Sequence, residues 1–466
     1  MHPVTEHHDH AVSRDPATGA IIATYPFDDE DAVTGMLSRA STAGREWREK
    51  SVHRRAHVLV QLADVLRDRR EEMAAMISSE MGKPISQARG EIDKCVTLCT
   101  WYAQNGPSML KSIAAPVDNG SARQEFRPLG AILAVMPWNF PFWQVLRGAV
   151  GVLLAGNTYM LKHAPNVMGC AYLLSDAFAR TDLPDGAFQV LNIPPSRVST
   201  VIANPAIAAV AVTGSVRAGA AIAQIAAASL KKSVLELGGS DAFIVLSDAD
   251  LDEAVRSAVL GRFSNTGQVC LAAKRLIVEA PIAADFEARF VEKVKQLRVG
   301  QPSDENTFIG PMARYDLRDE LHAQVVSTVA EGARLVLGGY KLDGSGNFYA
   351  PTVLADVCPG MTAFREELFG PVAAIIVARD ADHAVELAND SDFGLGGTIW
   401  TRDVERANAM AAQMDTGAVF INGDVATDPR VTVGGVKKSG FGRELSNFGV
   451  LEFCNIQTVW SGRKPT

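Results

Sequence analysis

The sequence predicts an α/β protein built mainly from two units with parallel sheets, and three observations carry that expectation. Short apolar runs alternate with helix-like stretches along most of the chain, which is the rhythm of βαβ units. At 466 residues, 47% hydrophobic and 21% charged, the chain falls in the ordinary globular class and has room for two or three cores. The last apolar run, Leu451 to Val459, stands outside that rhythm and reads as a terminal strand whose partner lies in another subunit.

Taken in order, residues 33–92 are expected to be largely helical, because Leu59, Leu62, Leu66 and then Met73, Met76, Ile77 recur at helical spacing between charged faces. Gly82-Lys83-Pro84 should break that region, since proline cannot continue a helix and restricts the residue before it. Buried strands are expected at Ala131 to Met136, Thr158 to Leu161, Phe188 to Leu191 and Ala208 to Val212, each followed by a polar turn and a helix-like segment. Ligands of such sheets bind at the C-terminal strand ends, so the turns after Met136, Leu161 and Val212 are where cofactor chemistry belongs. A second set begins near Leu235, with strands at Ala242 to Leu246, Arg275 to Val278, Val372 to Val377, Gly397 to Trp400 and Ala418 to Ile421.

Composition excludes several classes. A net charge of −8 without blocks of like charge argues against nucleic acid or an anionic membrane as partner. The polar N-terminus has no apolar core of a signal peptide, and no apolar run approaches the length that spans a bilayer. Cys95, Cys99, Cys170, Cys270, Cys358 and Cys454 lack CxxC spacing, which suits neither a disulfide framework nor a zinc site and points to a reducing cytoplasm. No metal site is expected: His7, His8 and His10 read as part of a solvated terminus, and Cys95 and Cys99 as packing residues on one helix face.

Two short segments suggest chemistry. FSNTGQVCLAAK (Phe263 to Lys274) sets Cys270 in a turn of small residues, where backbone N–H groups can point at a thiol that substrate can approach. VLELGG ends a strand at Glu236 beside two glycines that let backbone pass close to a ligand. Each alone is weak, since most cysteines are inert and most glutamates are solvated. Together with PWNFP (Pro137 to Pro141), VTGS (Val212 to Ser215), EELFGPV (Glu366 to Val372) and GGVKKSGFGRE (Gly434 to Glu444), they form one ordered set over nearly the whole chain. That set resembles the aldehyde dehydrogenase superfamily.

The resemblance implies a Rossmann-type dinucleotide-binding domain (1–109 and 129–237), an α/β catalytic domain (238–436) and a β oligomerisation extension (110–128 and 445–466) that pairs subunits into a homodimer or homotetramer. It implies Cys270 as the nucleophile that attacks the aldehyde to give a thiohemiacetal. Asn139, with the Cys270 backbone N–H, matches the oxyanion site. Hydride leaves to the nicotinamide and a thioester remains, whose hydrolysis uses Glu236 as the base acting on water. Retention of Glu236 favours hydrolysis over acyl transfer to coenzyme A. For the cofactor, NADP or NAD, the implied contacts are Trp138, Lys162, Pro165, Gly214, Ser215, Leu237, Glu367 and Phe369. Ser215 stands at a helix N-terminus suited to the pyrophosphate. A G-x-G-x-x-G fingerprint is absent, as it is in the family.

Pro165 departs from the NAD-preferring pattern, which commonly has a glutamate three residues after the lysine. Without that carboxylate a 2′-phosphate meets no repulsion, and Lys162 and His163 are placed to attract it, so NADP use is expected, with NAD also accepted. LKHAPN, FPFWQVLR and FCNIQTVW are similar to bacterial succinate-semialdehyde dehydrogenases. In that subfamily an arginine at the place of Arg147 clamps the distal carboxylate, assisted by a hydroxyl at the place of Thr427. Arg147 also reads as a helix residue paired to a local acid or exposed to solvent, and Thr427 reads equally as a loop hydroxyl bonding its own backbone. Some relatives carry a further arginine where Ser264 stands. Glu444 offers an alternative proton acceptor, but reads better as the acid of a structural ion pair with Lys or Arg. Two rival functions stay open at this stage: a different enzyme on the same scaffold, such as an acyl-transferring dehydrogenase or an esterase, and a non-catalytic binding protein.

Overall fold

The computed structural model describes residues 9–462; His7, His8 and the last four residues lie outside them. The helical opening is longer than its apolar spacing foretold, running through four helices, Glu30–Glu49, Val52–Asp68, Arg70–Met81 and Ile85–Met109. Their caps explain the breaks. Asp29 and Ser51 accept from backbone N–H groups three residues on. Gly82 ends the third helix at φ 79°, and a β-carbon there would lie 2.8 Å from Pro311.

The first sheet has six strands in the order Gly440–Phe441, Lys232–Glu236, Ile207–Thr213, Ala131–Met136, Thr158–His163, Phe188–Val190. All are parallel except the short first one, which runs antiparallel to Lys232–Glu236. Leu235 is thus a member of this sheet and does not open the second unit. It pairs with Val212, so the strand that ends in Glu236 lies parallel beside the Ile207–Thr213 strand, a pairing that its own short sequence does not reveal. The second sheet has seven strands, in the order Arg334–Leu337, Thr352–Ala355, Val372–Ala378, Ala273–Glu279, Asp241–Val245, Gly396–Trp400, Ala418–Ile421. Only Arg334–Leu337 is antiparallel. The central strands are buried along their length, as fits a sheet covered by helices on both faces.

The tail strand Cys454–Ser461 forms as expected, but its partner lies in this chain. It pairs antiparallel with Ser121–Pro128 over eight residues, from Cys454 opposite Pro128 to Ser461 opposite Ser121, and Ile113–Ala115 completes a three-stranded sheet. Nearest-neighbour backbone hydrogen bonds are satisfied within the chain, and the outer edge of the tail strand remains available. Among the described residues no helix is long and apolar enough to cross a membrane.

Candidate active site

The turn that follows strand Ala131–Met136 carries Trp138 and Asn139 and leads into the helix Trp143–Leu154. That helix lacks a side-chain cap of its own. Its first N–H groups are met from another element: Glu91 Oε1 accepts from Phe142 N at 2.9 Å and from Trp143 N at 3.0 Å. Glu91 is itself buried and ion-paired with Lys83, whose ammonium sits 3.7 Å above the Phe140 ring. A buried pair of this kind persists only with its remaining lone pairs used, and here they hold the turn.

The Cys270 loop is fastened more heavily. Asn265, Thr266 and Gly267 are successively left-handed, at φ 53°, 56° and 72°. A β-carbon on Gly267 would lie 2.3 Å from the Gly370 carbonyl, so only glycine fits. Strain in the two non-glycine residues is offset by bonds from every side. Gln87 accepts from Asn265 N at 2.7 Å, Asn265 Nδ2 donates to the Asn139 carbonyl at 2.9 Å, and Thr266 Oγ1 accepts from Gly310 N at 3.1 Å. The Gln268 side chain accepts from Ala313 N at 2.9 Å, and buried Arg262 donates to the carbonyls of Leu368 and Gly370. Asn139 Nδ2 donates to the Gln268 carbonyl at 3.0 Å, which ties the amide to the loop two residues before the thiol.

The thiol of Cys270 is half-buried. Burial pushes its pKa up to about 11, against the opposing pull of the cations Arg147 and Lys274. The neutral thiol therefore dominates near pH 7 and needs a base when it reacts. Glu236 is buried, and burial raises its pKa to about 8 although Arg147 opposes the shift. Arg147 Nη2 stands 3.8 Å from Glu236 Oε2, and its Nε is ion-paired with buried Glu444. Arg147 and Glu444 thus meet as an ion pair although 297 residues separate them in sequence. Three residues past Glu236, Gly239 packs against the Cys270 backbone, where a β-carbon would lie 2.8 Å from its carbonyl.

Two residues unforeseen in the sequence complete this neighbourhood. Lys274 Nζ donates to the Cys270 carbonyl at 2.6 Å and pairs with Glu367 Oε1 at 2.9 Å. Its position four after the cysteine, in the same motif, was a usable signal. Lys94 Nζ lies 4.0 Å from the Trp143 ring centroid and donates to Thr427 Oγ1, contacts with no local signature. Thr427 does not bond its own backbone in the contacts seen; the Lys94 ammonium takes its oxygen.

The expected cofactor residues gather at the C-terminal end of the first sheet. Ser215 is the N-cap of the helix Val216–Ala228, accepting from Ala218 N at 3.3 Å, and Gly214 precedes it with open space where a β-carbon would stand. Leu237 packs tightly on Gly219. Lys162 lies on the strand Thr158–His163, and Pro165 opens the 3₁₀ turn that follows it. Glu367 accepts from Gly239 N at 3.0 Å, and Phe369 meets Trp138 edge to face at 5.8 Å. His163 corrects one expectation. It points inward, with Nε2 3.0 Å from the Pro141 carbonyl, and burial lowers its pKa to about 4. It is neutral at physiological pH and offers no charge to a phosphate. Among the described residues no group of three or more His, Cys, Asp or Glu is arranged to hold a metal.

A parallel-sheet turn with an open glycine and a capped helix, in one chain with a thiol on a clamped loop and a buried carboxyl that acts on it, suits a nucleotide-assisted covalent enzyme. The chain belongs to the aldehyde dehydrogenase family, whose profile matches residues 4–459. It is 59% identical over 454 residues to an Escherichia coli protein named succinate semialdehyde dehydrogenase [NAD(P)+], covering 97% of this chain and 98% of that one. A Mycobacterium tuberculosis protein named succinate-semialdehyde dehydrogenase [NADP(+)] 1 is 45% identical over 448 residues, covering 96% and 98%. Among solved structures, the succinic semialdehyde dehydrogenase of Streptococcus pyogenes in complex with NADP+ superposes with a TM-score of 0.95 at 35% identity, covering 97% of this chain and all of that one.

Proposed function

We propose that this protein oxidises succinate semialdehyde to succinate with NADP or NAD as hydride acceptor, by covalent catalysis at Cys270 and hydrolysis with Glu236 as base. The observation that carries the mechanism is the shared neighbourhood of the two groups: Glu236 is among the charges that act on the Cys270 thiol, and Arg147 acts on both. Relatives named for this substrate, with NAD(P)+ or NADP+ in their names, support the substrate and cofactor.

The residues present fit a dinucleotide. Gly214 leaves room at a helix N-terminus, Glu367 is joined through Lys274 to the Cys270 backbone, and Phe369 meets Trp138. Ser215 and the first N–H groups of its helix suit the pyrophosphate, Lys162, Pro165 and Trp138 the adenosine side, and Leu237, Glu367 and Phe369 the nicotinamide side. When bound, the nicotinamide supplies the hydride acceptor.

The chain's own groups do the rest. Cys270 Sγ loses its proton to a base and bonds the aldehyde carbon. Asn139 Nδ2 and the Cys270 N–H stabilise the oxygen that becomes negative. After oxidation Cys270 holds a thioester, and Glu236, deprotonated, takes a proton from the attacking water so that sulfur leaves and a carboxylate is released. Arg147, which pairs with Glu444 and approaches Glu236, orders this carboxylate cluster. Its Nη2 has no hydrogen-bond partner and can take one oxygen of the substrate's carboxylate, with the Thr427 hydroxyl assisting.

In this reading residues 1–109 and 129–237 bind the dinucleotide, 238–436 carry the nucleophile, and 110–128 with 445–466 join subunits into a homodimer or homotetramer. Exposed Ile113, Ile456 and Trp460 on the small sheet support that last role. All six cysteines carry free thiols, in keeping with a cytoplasmic setting. The deciding experiment follows NADPH formation with succinate semialdehyde in the absence of coenzyme A. Free succinate in step with NADPH is expected, and Cys270→Ala should abolish both. Turnover that requires coenzyme A, or that survives the substitution, overturns the mechanism.

A further inference from the structure

The buried and half-buried cations of this region differ in what they are bound to. Lys83 is paired with Glu91, Arg147 with Glu444, and Lys274 with Glu367. Lys94 donates to a neutral hydroxyl, that of Thr427. Its ammonium is half-buried on the face of the helix Ile85–Met109 that also presents Gln87 and Glu91, and it rests against the Trp143 ring. Trp143 and Arg147 are one helical turn apart, which sets both on one side of the helix Trp143–Leu154.

Lys94 lines a cleft of about 210 Å³ together with Gln87, Glu91, Phe140, Ser264 and Asn265. Asn265 is the residue whose amide holds the Asn139 carbonyl, so the cleft abuts the Cys270 loop. Ser264 offers no charge there; its hydroxyl donates to the Leu260 carbonyl at 2.7 Å. Glu91 is already spent on Lys83 and on the Phe142 and Trp143 N–H groups, and Asp428 is paired with Arg430. Burial and the nearby Arg147 charge both penalise the Lys94 ammonium, and its pKa falls to about 8. An anion between the two cations would relieve that penalty.

We propose that Lys94 is a specificity-determining residue that binds the distal carboxylate of the aldehyde substrate, with the Thr427 hydroxyl as the second donor. Thr427 accepts from Lys94 through its oxygen and keeps its own O–H to donate. The substrate class is therefore a short aldehyde with a terminal carboxylate, and the inference rests on the proposed oxidation of succinate semialdehyde. It adds a residue to that reading without being required by it.

The test compares wild-type enzyme, Lys94→Met and Lys94→Arg on succinate semialdehyde and on butanal, an uncharged aldehyde of equal chain length, with melting temperature measured for each. Lys94→Met should lower the ratio of kcat/KM for the semialdehyde over butanal by about tenfold or more, mainly through KM, the scale of one charge-assisted hydrogen bond. Lys94→Arg should recover most of that ratio. A folded Lys94→Met enzyme whose ratio stays within about twofold of wild type overturns the proposal, since one charged contact is worth more than that. If wild type itself shows no preference for the semialdehyde, the substrate reading fails instead, and the two failures are read from different enzymes.

Discussion

The turn at Gly214–Ser215 and the loop from Ser264 to Cys270 are built on opposite plans. The first is open: its glycine has nothing within 4 Å of a would-be β-carbon, and its one side-chain bond is the cap from Ser215 to Ala218 N. The second is gripped by Gln87, Asn139, Arg262, Gly310 and Ala313, and holds three consecutive left-handed residues. A turn that receives a ligand must leave backbone N–H groups uncovered, whereas a loop that presents one sulfur atom must remove every alternative position for it. Glu236 belongs to the open side by its strand and to the clamped side by its neighbours.

The largest test of this contrast is Glu236→Gln, which keeps the shape and removes the base. We expect kcat to fall about 10²- to 10⁴-fold, the range of general-base contributions. Because burial raises the Glu236 pKa to about 8, its basic form grows as pH rises through that value. Wild-type kcat should therefore climb between about pH 7 and 9, and a pH profile of the variant should lack that limb. An unchanged limb would assign it to another group.

Paired glycine substitutions come next. Gly267→Ala sets a methyl 2.3 Å from a carbonyl at φ 72° and should cost about 3 kcal/mol or more, read as a lower melting temperature and fewer titratable Cys270 thiols. Gly214→Ala should leave melting within about 1 kcal/mol of wild type while raising KM for NADP, because only the ligand competes for that space. Equal losses of stability would erase the distinction between the two regions. A smaller effect is expected of Pro165→Glu: a carboxylate beside the adenosine side should lower kcat/KM for NADP about tenfold relative to NAD, from repulsion across a partly solvated gap. Kinetics with both cofactors would show it.

The same contrast explains what was legible in sequence. Strand ends and their turns were readable, because apolar runs followed by VTGS or ELGG state their geometry within a few residues. Cys270 and Glu236 stood out for the same reason. The grip on the loop was not readable, since apart from Arg262 it comes from residues 44 to 178 positions away, as from Gly310 to Thr266 and from Gln87 to Asn265. Arg147 was open to two readings until Glu444 and Glu236 were seen beside it, and Lys94 had no motif at all because Trp143 and Thr427 lie in other elements. His163 was misjudged because a strand buried on both faces gives its final residue no polar side to point to. The tail strand was found and grouped with 110–128, but its direct pairing with Ser121–Pro128 in the same chain was not foreseen. Nothing in an exposed, alternating segment such as CNIQTVWS states which edge it joins.

That intrachain pairing has a practical corollary. Shortening the protein before Cys454 would strip Ser121–Pro128 of its eight-residue neighbour and leave a bare, hydrogen-bond-hungry margin beside Ile113. Such a truncated chain should precipitate or mispair even though its catalytic groups are all retained. Attachments beyond Ser461, by contrast, start past the last paired residue and leave the ladder whole.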